Sequence, residues 1–341
     1  HILGAIPSLY SYCYEYLLIL ILSAPLAVFQ MLFQNFFVTA GKPHLGLTLT
    51  ILGGVSNIVL DYVFIVVCHL GVSGAALATS IGYAIPALFG IFYFLLNRRG
   101  TLYLVKPVFR GKVLFYSCIN GSSEMVNNLA VAITTFLFNL LMLNYAGESG
   151  VAAITIVLYA QFLMTSVFMG FSSGIAPVVS FNYGSQNTVQ LQKVFKNSIL
   201  TVSVASILVF LIAEFFSEPV IGIFVSPESE VFQITKHGFA IFSLSFLFTG
   251  INIFSSALFT ALSNGKVSAI LSFLRTFVFL VIFLLLLPLI WGVDGIWLAV
   301  PVAEILAFLV SIYYLVRMKN IYHYYTSETR KSSSLNGSSV E

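Results

Sequence analysis

Charge is what this sequence has least of. Asp, Glu, Lys and Arg together make up 8% of its 341 residues against 59% hydrophobic, and the mean hydropathy is +1.00. A water-soluble domain carries about a quarter charged residues, so a soluble fold is excluded and lipid is the solvent this chain is built for. Cysteine is nearly absent too. Cys13, Cys68 and Cys118 lie in separate apolar runs with no CxxC or Cys/His spacing, which argues against a disulfide framework and a metal site. The five histidines fall at joints or ends, and there is no HExxH, GxSxG or Walker loop. The chain therefore reads as no enzyme, with no cofactor. A net charge of +3 is too small to point to nucleic acid.

What is present is apolar length. A spanning helix needs roughly 20 apolar residues, and runs of that kind fall at 14–39, 46–69, 72–96, 114–144, 151–180, 196–217, 235–262, 267–291 and 293–316. Turn chemistry separates them, as at Gly41-Lys42-Pro43, Gly147-Glu148-Ser149-Gly150 and Asn264-Gly265-Lys266. Runs such as Leu280 to Leu287 do not alternate in polarity as barrel strands must. The expected fold is all-α, a polytopic membrane protein with nine transmembrane helices, because only helices satisfy their own backbone in lipid.

Threading the chain through nine spans gathers every Lys and Arg except Lys236 and Arg275 at one side or in the tail. The positive-inside rule makes that side cytoplasmic, with the C-terminus inside and the N-terminus outside. The opening at His1 has no basic n-region or cleavage site and reads as an internal start, a fragment of a longer chain. The longest basic joint suggests a partial first lobe of three helices at 1–96, a cytoplasmic linker at 97–113, a six-helix lobe at 114–325 and a disordered cytoplasmic tail at 326–341. There is also an internal echo. Gly71-Val72-Ser73-Gly74-Ala75-Ala76-Leu77-Ala78 recurs as Gly292-Val293-Asp294-Gly295-Ile296-Trp297-Leu298-Ala299, and Ala40-Gly41-Lys42 as Asn264-Gly265-Lys266. The first three spans thus resemble the last three in the same orientation, as in transporters built from duplicated bundles.

Few ionisable residues lie deep in the spans: Asp61, Glu124, Arg275 and Glu304. Intramembrane charge is a functional hypothesis by default, and a polar clamp between helices is the bland alternative. Asn57 precedes Asp61 by one helical turn, and counting about 1.5 Å per residue from the joint near Gly71 brings Thr79 to a similar depth. A carboxylate, an amide carbonyl and a hydroxyl suit a hard monovalent cation or a titrating proton. Glu124 shares a helix face with Asn128, as a second protonation site or a wetted cleft face. Arg275 and Glu304 reach mid-depth in the last two spans and read as a structural ion pair.

The stretches that run from Phe33-Gln34-Asn35-Phe36-Phe37-Val38-Thr39 into Ala40-Gly41-Lys42-Pro43, with Asn57-Ile58-Val59-Leu60-Asp61, the Gly71 to Thr79 segment, Gly150-Val151-Ala152-Ala153, Asn182-Tyr183-Gly184 and Ala261-Leu262-Ser263-Asn264-Gly265-Lys266, together resemble the multidrug and toxic compound extrusion family in its DinF-type branch. The resemblance covers residues 12 to 325 and implies helices four to twelve of a twelve-helix, two-lobe fold. It also implies a monomeric antiporter in the bacterial plasma membrane, exporting small amphipathic or cationic substrates against Na+ or H+. The family's first-lobe ion site matches Asn57, Asp61 and Thr79, with the backbone carbonyl of Ala75, and draws a further aspartate from a first helix that this chain does not contain. A second-lobe site of another branch uses a Glu on helix seven, matched by Glu124, and an Asp on helix ten, where this chain has Asn252. Two other readings stand beside it: a lipid-linked oligosaccharide flippase of the same superfamily, which needs a cationic cavity, and a channel or non-transporting scaffold.

Overall fold

A computed structural model describes residues 7–98, 100, 102–106 and 108–325, without the side chains of 7–11, 116, 117, 119–124, 126 and 127. Among the described residues every regular element is helical. The chain divides into two compact units, one ending at Phe109 and one beginning at Arg110.

The first unit holds α1 (Pro7–Thr39), α2 (Pro43–Asp61), which continues into a π turn (Tyr62–Val67), and α3 (Gly71–Leu96). Pro43 opens α2, where a missing N–H is harmless. A small aromatic core closes one end of the unit, with Phe33 and Phe94 stacked at 5.6 Å and Phe37 5.1 Å from Phe94. Lys42 rests its ammonium 5.3 Å above the Tyr93 ring at the same end.

The second unit begins with α4 (Gly111–Gly184), 74 residues long. A straight helix of that length would extend roughly 110 Å, far beyond a hydrocarbon core of about 30 Å. Gly147 breaks it, with φ 64° and ψ −156°, a conformation that a Cβ would penalise. There follow α5 (Thr188–Phe215), α6 (Ser217–Gly222), α7 (Glu230–Ser243), α8 (Phe246–Ala261), α9 (Gly265–Phe273), a second π turn (Leu274–Phe279), α10 (Leu280–Trp291) and α11 (Val293–Tyr322). Three starts are capped as their sequences suggest: Asn187, Ser229 and Asn264 accept the N–H groups of Gln190, Phe232 and Val267. One core gathers Ile154, Phe168, Phe242, Phe246 and Trp297, and another gathers Phe254, Phe259, Leu262 and Tyr324. Just past α11, Tyr324 donates its hydroxyl to the Leu315 carbonyl at 2.6 Å, and burial pushes that phenol well above its ordinary pKa.

Around both units the outer surface is apolar: Phe181 and Leu289 are each 75% exposed and Phe215 78%. Such a surface is at home in lipid and not in water. Seven helices among the described residues are long and apolar enough to span, or eight if the bent pair α7–α8 counts as one. The difference from nine arises because the runs at 114–144 and 151–180 merge into α4 across Gly147. The run at 235–262 is also not one straight helix. It bends by 52° between α7 and α8, where the Ser243 hydroxyl bonds the Ala240 carbonyl and a Glu214 carboxylate, competing with the helix's own ladder. The tail at 326–341 lies outside the described residues.

Candidate functional site

In the first unit, α2 and α3 meet where neither has a side chain. A Cβ on Gly53 would stand 2.7 Å from the Gly82 carbonyl, and one on Gly82 would stand 3.1 Å from the Gly53 carbonyl and 3.2 Å from Asn57 Cβ. This close approach lets Asn57 Nδ2 donate to Thr79 Oγ1 at 3.4 Å. Asp61 follows one turn later as the last residue of α2, and Ala75 lies one turn before Thr79 on α3. The Asp61 Oδ1 atom is buried with no hydrogen-bond partner. A buried carboxylate oxygen without a donor is costly, and a cation or a proton would relieve it.

Asp61 also stands at the edge of an unusual backbone. Beyond it the helix widens to i→i+5 bonding, with the Cys68 N–H reaching the Val63 carbonyl at 2.8 Å. Such π turns free backbone groups and recur at functional sites. Nothing in the residue pattern announces this one. Two further links join α1 to α3: Ser73 Oγ donates to Glu15 Oε2 at 2.7 Å, and Ser80 Oγ to Ser23 Oγ at 2.8 Å. Glu15 lies near the start of its apolar run, where depth alone does not single it out; its signal is the serine in the repeated Gly-Val-x-Gly motif.

The second unit carries its own buried polar cluster. Arg275, inside the second π turn, donates Nε to Glu304 Oε1 at 2.7 Å. Asn252 donates Nδ2 to the other oxygen, Oε2, at 2.7 Å and to the Glu304 carbonyl at 3.0 Å, while Ser311 donates to Asn252 Oδ1 at 3.0 Å. Three elements, α8, the π turn and α11, are thus pinned on one carboxylate. Asn252, which the resemblance grouped with Glu124, faces Glu304. The Glu124 side chain lies outside the described residues, and Asn128 is exposed on α4. A hydroxyl chain runs beside the cluster between α8 and α9: Ser256 to Ser268 at 2.9 Å, Ser256 to Ser272 at 2.7 Å and Thr260 to Ser268 at 2.7 Å. At the Gly292 end, His237 Nε2 and Asp294 Oδ1 meet at 2.9 Å.

The MatE family model matches residues 1–63 and 125–286, more than half of the chain. The chain belongs to the MatE family. Its members are transporters and not enzymes. Among its relatives is the multidrug export protein MepA of Staphylococcus saprophyticus, 25% identical over 322 residues that cover 93% of this chain and 70% of MepA. The MepA of Staphylococcus aureus strain RF122 is 25% identical over 320 residues with the same coverage. Among solved structures, the outward-facing conformation of a multidrug resistance MATE family transporter of the MOP superfamily aligns with a TM-score of 0.86 at 22% identity, over 94% of this chain and 72% of that one. A MOP superfamily transporter from Pyrococcus furiosus, described as having a binding pocket of reversed polarity, aligns at 0.85 and 22% identity, over 95% and 73%. At such identities these structures establish the MatE fold.

Proposed function

We propose that this MatE chain belongs to a cation-coupled antiporter of the DinF-type branch that exports small amphipathic or cationic compounds, with Na+ or H+ acting at Asp61. Asn57, Thr79 and the Ala75 carbonyl complete the oxygen set. The observation that carries this reading is the orphaned, buried Asp61 Oδ1 one turn from the Asn57–Thr79 pair. A bound proton neutralises the carboxylate and a bound cation neutralises the site as a pair; emptied, the carboxylate regains the need for water, and that difference in solvation is what can favour one conformation over another. Export of drugs is supported by the MepA relatives.

In this reading Gly147 separates two spans within α4 and the α7–α8 pair forms one bent span, so nine helices cross the plasma membrane of a bacterium with the C-terminus in the cytoplasm. The protein works as a monomer. The Arg275–Glu304 pair neutralises the one arginine deep in the helices, which speaks for a cation exporter over a flippase with a cationic cavity.

The test is transport of ethidium into inverted vesicles, the direction that corresponds to efflux from the cell, energised by either a sodium or a proton gradient. Asp61→Asn should abolish gradient-driven efflux with unchanged protein level. Efflux at the parental rate in that variant refutes the assignment.

A further inference from the structure

The break at Gly147 does more than divide α4. Its two halves, on either side of the Gly147-Glu148-Ser149-Gly150 turn, line an open groove of about 720 Å³ within the second unit. Phe136, Leu140 and Leu143 line one side, Val151 and Ile156 the other, and Phe224 from the α6–α7 connection closes a third. That volume lies within the range of small-molecule sites, about 300–1,000 Å³. The turn is held in place from outside: Ser149 Oγ donates to Glu230 Oε2 at 3.1 Å, tying the apex to the start of α7.

The polar groups of the cavity are Asn139, Thr155 and one formal charge, Glu148. The amide of Asn139 and the hydroxyl of Thr155 are turned onto their own helix, donating to the carbonyls of Thr135 and Val151. Glu148 is different. It is exposed and has no salt-bridge partner among the described residues, although it stands at the mouth of an otherwise apolar, aromatic-walled space. An acyl chain would fill such a groove without regard to that charge. An amphipathic monovalent cation would use both parts, its rings against Phe136 and Phe224 and its charge beside the carboxylate.

We propose that the cleft between the two halves of α4 is a binding site for amphipathic organic cations, with Glu148 as the counter-charge, distinct from the Asp61 site. This rests on the transport reading for its biological meaning, since it would place a substrate-holding step within the second unit alone. In the proposed topology Glu148 faces the non-cytoplasmic side, so the site is reached from where an exported cation leaves. Its binding energy needs no gradient.

The experiment uses the whole 341-residue chain in zwitterionic nanodiscs and radiolabelled tetraphenylphosphonium, read by scintillation proximity without any ion gradient. Triphenylphosphine oxide, a neutral molecule with similar aromatic faces, serves as competitor. Saturable binding that unlabelled tetraphenylphosphonium displaces fully and the neutral compound weakly is expected. Glu148→Gln should raise Kd about tenfold, equivalent to about 1.4 kcal/mol, and bring the two competitors to similar affinity. Ala152→Phe, which fills the cavity and leaves the carboxylate, should abolish binding, with far-UV helicity retained in both variants. Equal displacement by the neutral compound and the cation in the parent would show charge-blind, lipid-like partition and overturn the proposal. Unchanged tetraphenylphosphonium affinity in either variant would overturn it equally. A failure of coupling at Asp61 would not alter these outcomes, because only equilibrium binding is read.

Discussion

Replacing Arg275 by leucine should destabilise the protein by about 3 kcal/mol, and the reason can be followed atom by atom. The Glu304 side chain is 7% exposed and accepts from Arg275 on one oxygen and from Asn252 on the other. Removing the arginine leaves a buried carboxylate with one neutral donor, a situation that costs about 3–5 kcal/mol where an ion pair is broken from one side. The lower end applies because Asn252 still donates. Glu304→Leu should cost less, about 2 kcal/mol, because the Arg275 side chain keeps 19% exposure and can turn toward polar surroundings. With both replaced, neither charge is stranded, and the loss should be about 3 kcal/mol instead of the sum of about 5, a coupling of about 2 kcal/mol. Reversible unfolding in mixed micelles with increasing dodecyl sulfate, followed by fluorescence, reads these differences; Trp297, fully buried, reports the native core. Additivity within about 0.5 kcal/mol would refute direct pairing and leave the two residues as independent polar positions.

Gly53→Ala should destabilise the first unit by about 1–3 kcal/mol, since its Cβ would meet the Gly82 carbonyl at 2.7 Å, whereas Gly54→Ala, with nothing within 4 Å, should be near neutral or slightly stabilising. Parallel thermal melts of the two variants check this, and equal losses would refute the close approach of α2 and α3. Ser311→Ala removes one donor to Asn252 and should cost about 0.6 kcal/mol, the average for an interhelical hydrogen bond in a membrane. A loss as large as that of Arg275→Leu, in the same micelle titration, would show that the hydroxyl and not the guanidinium organises the cluster.

Composition carried most of the fold. With 8% charge and long runs that do not alternate, helices in lipid were the one arrangement left. The count of depth from Gly71 set Thr79 level with Asp61; in the structure Thr79 bonds Asn57 instead, one turn before Asp61, because the register of α2 on α3 is set by the close approach of Gly53 and Gly82, which counting along one helix does not show. The bend at Ser243–Phe246 was not legible, because 235–262 has the composition of one span and the competing bonds come from Glu214 on another helix. The π turns after Asp61 and around Arg275 left no mark either, since their residues Tyr62–Val67 and Leu274–Phe279 are ordinary apolar helix formers apart from Arg275 and Thr276. Asn252 was placed by its helix number; its partner was decided by the reach of Glu304 from α11, a tertiary fact.

The two copies of the Gly-Val-x-Gly motif use their variable position in the same way. The variable third residue, Ser73 in one copy and Asp294 in the other, bonds to a residue 58 positions earlier in the first case, Glu15, and 57 positions earlier in the second, His237. The tether differs by one residue in length and uses the same anchoring position twice, yet the acid stands at opposite ends of it. In both places the helices that carry the ends bring the third position of the motif against an earlier helix, and the polar pair that closes the contact differs. Exchanging the acid between the two ends of either knot would keep its reach and reverse only its polarity.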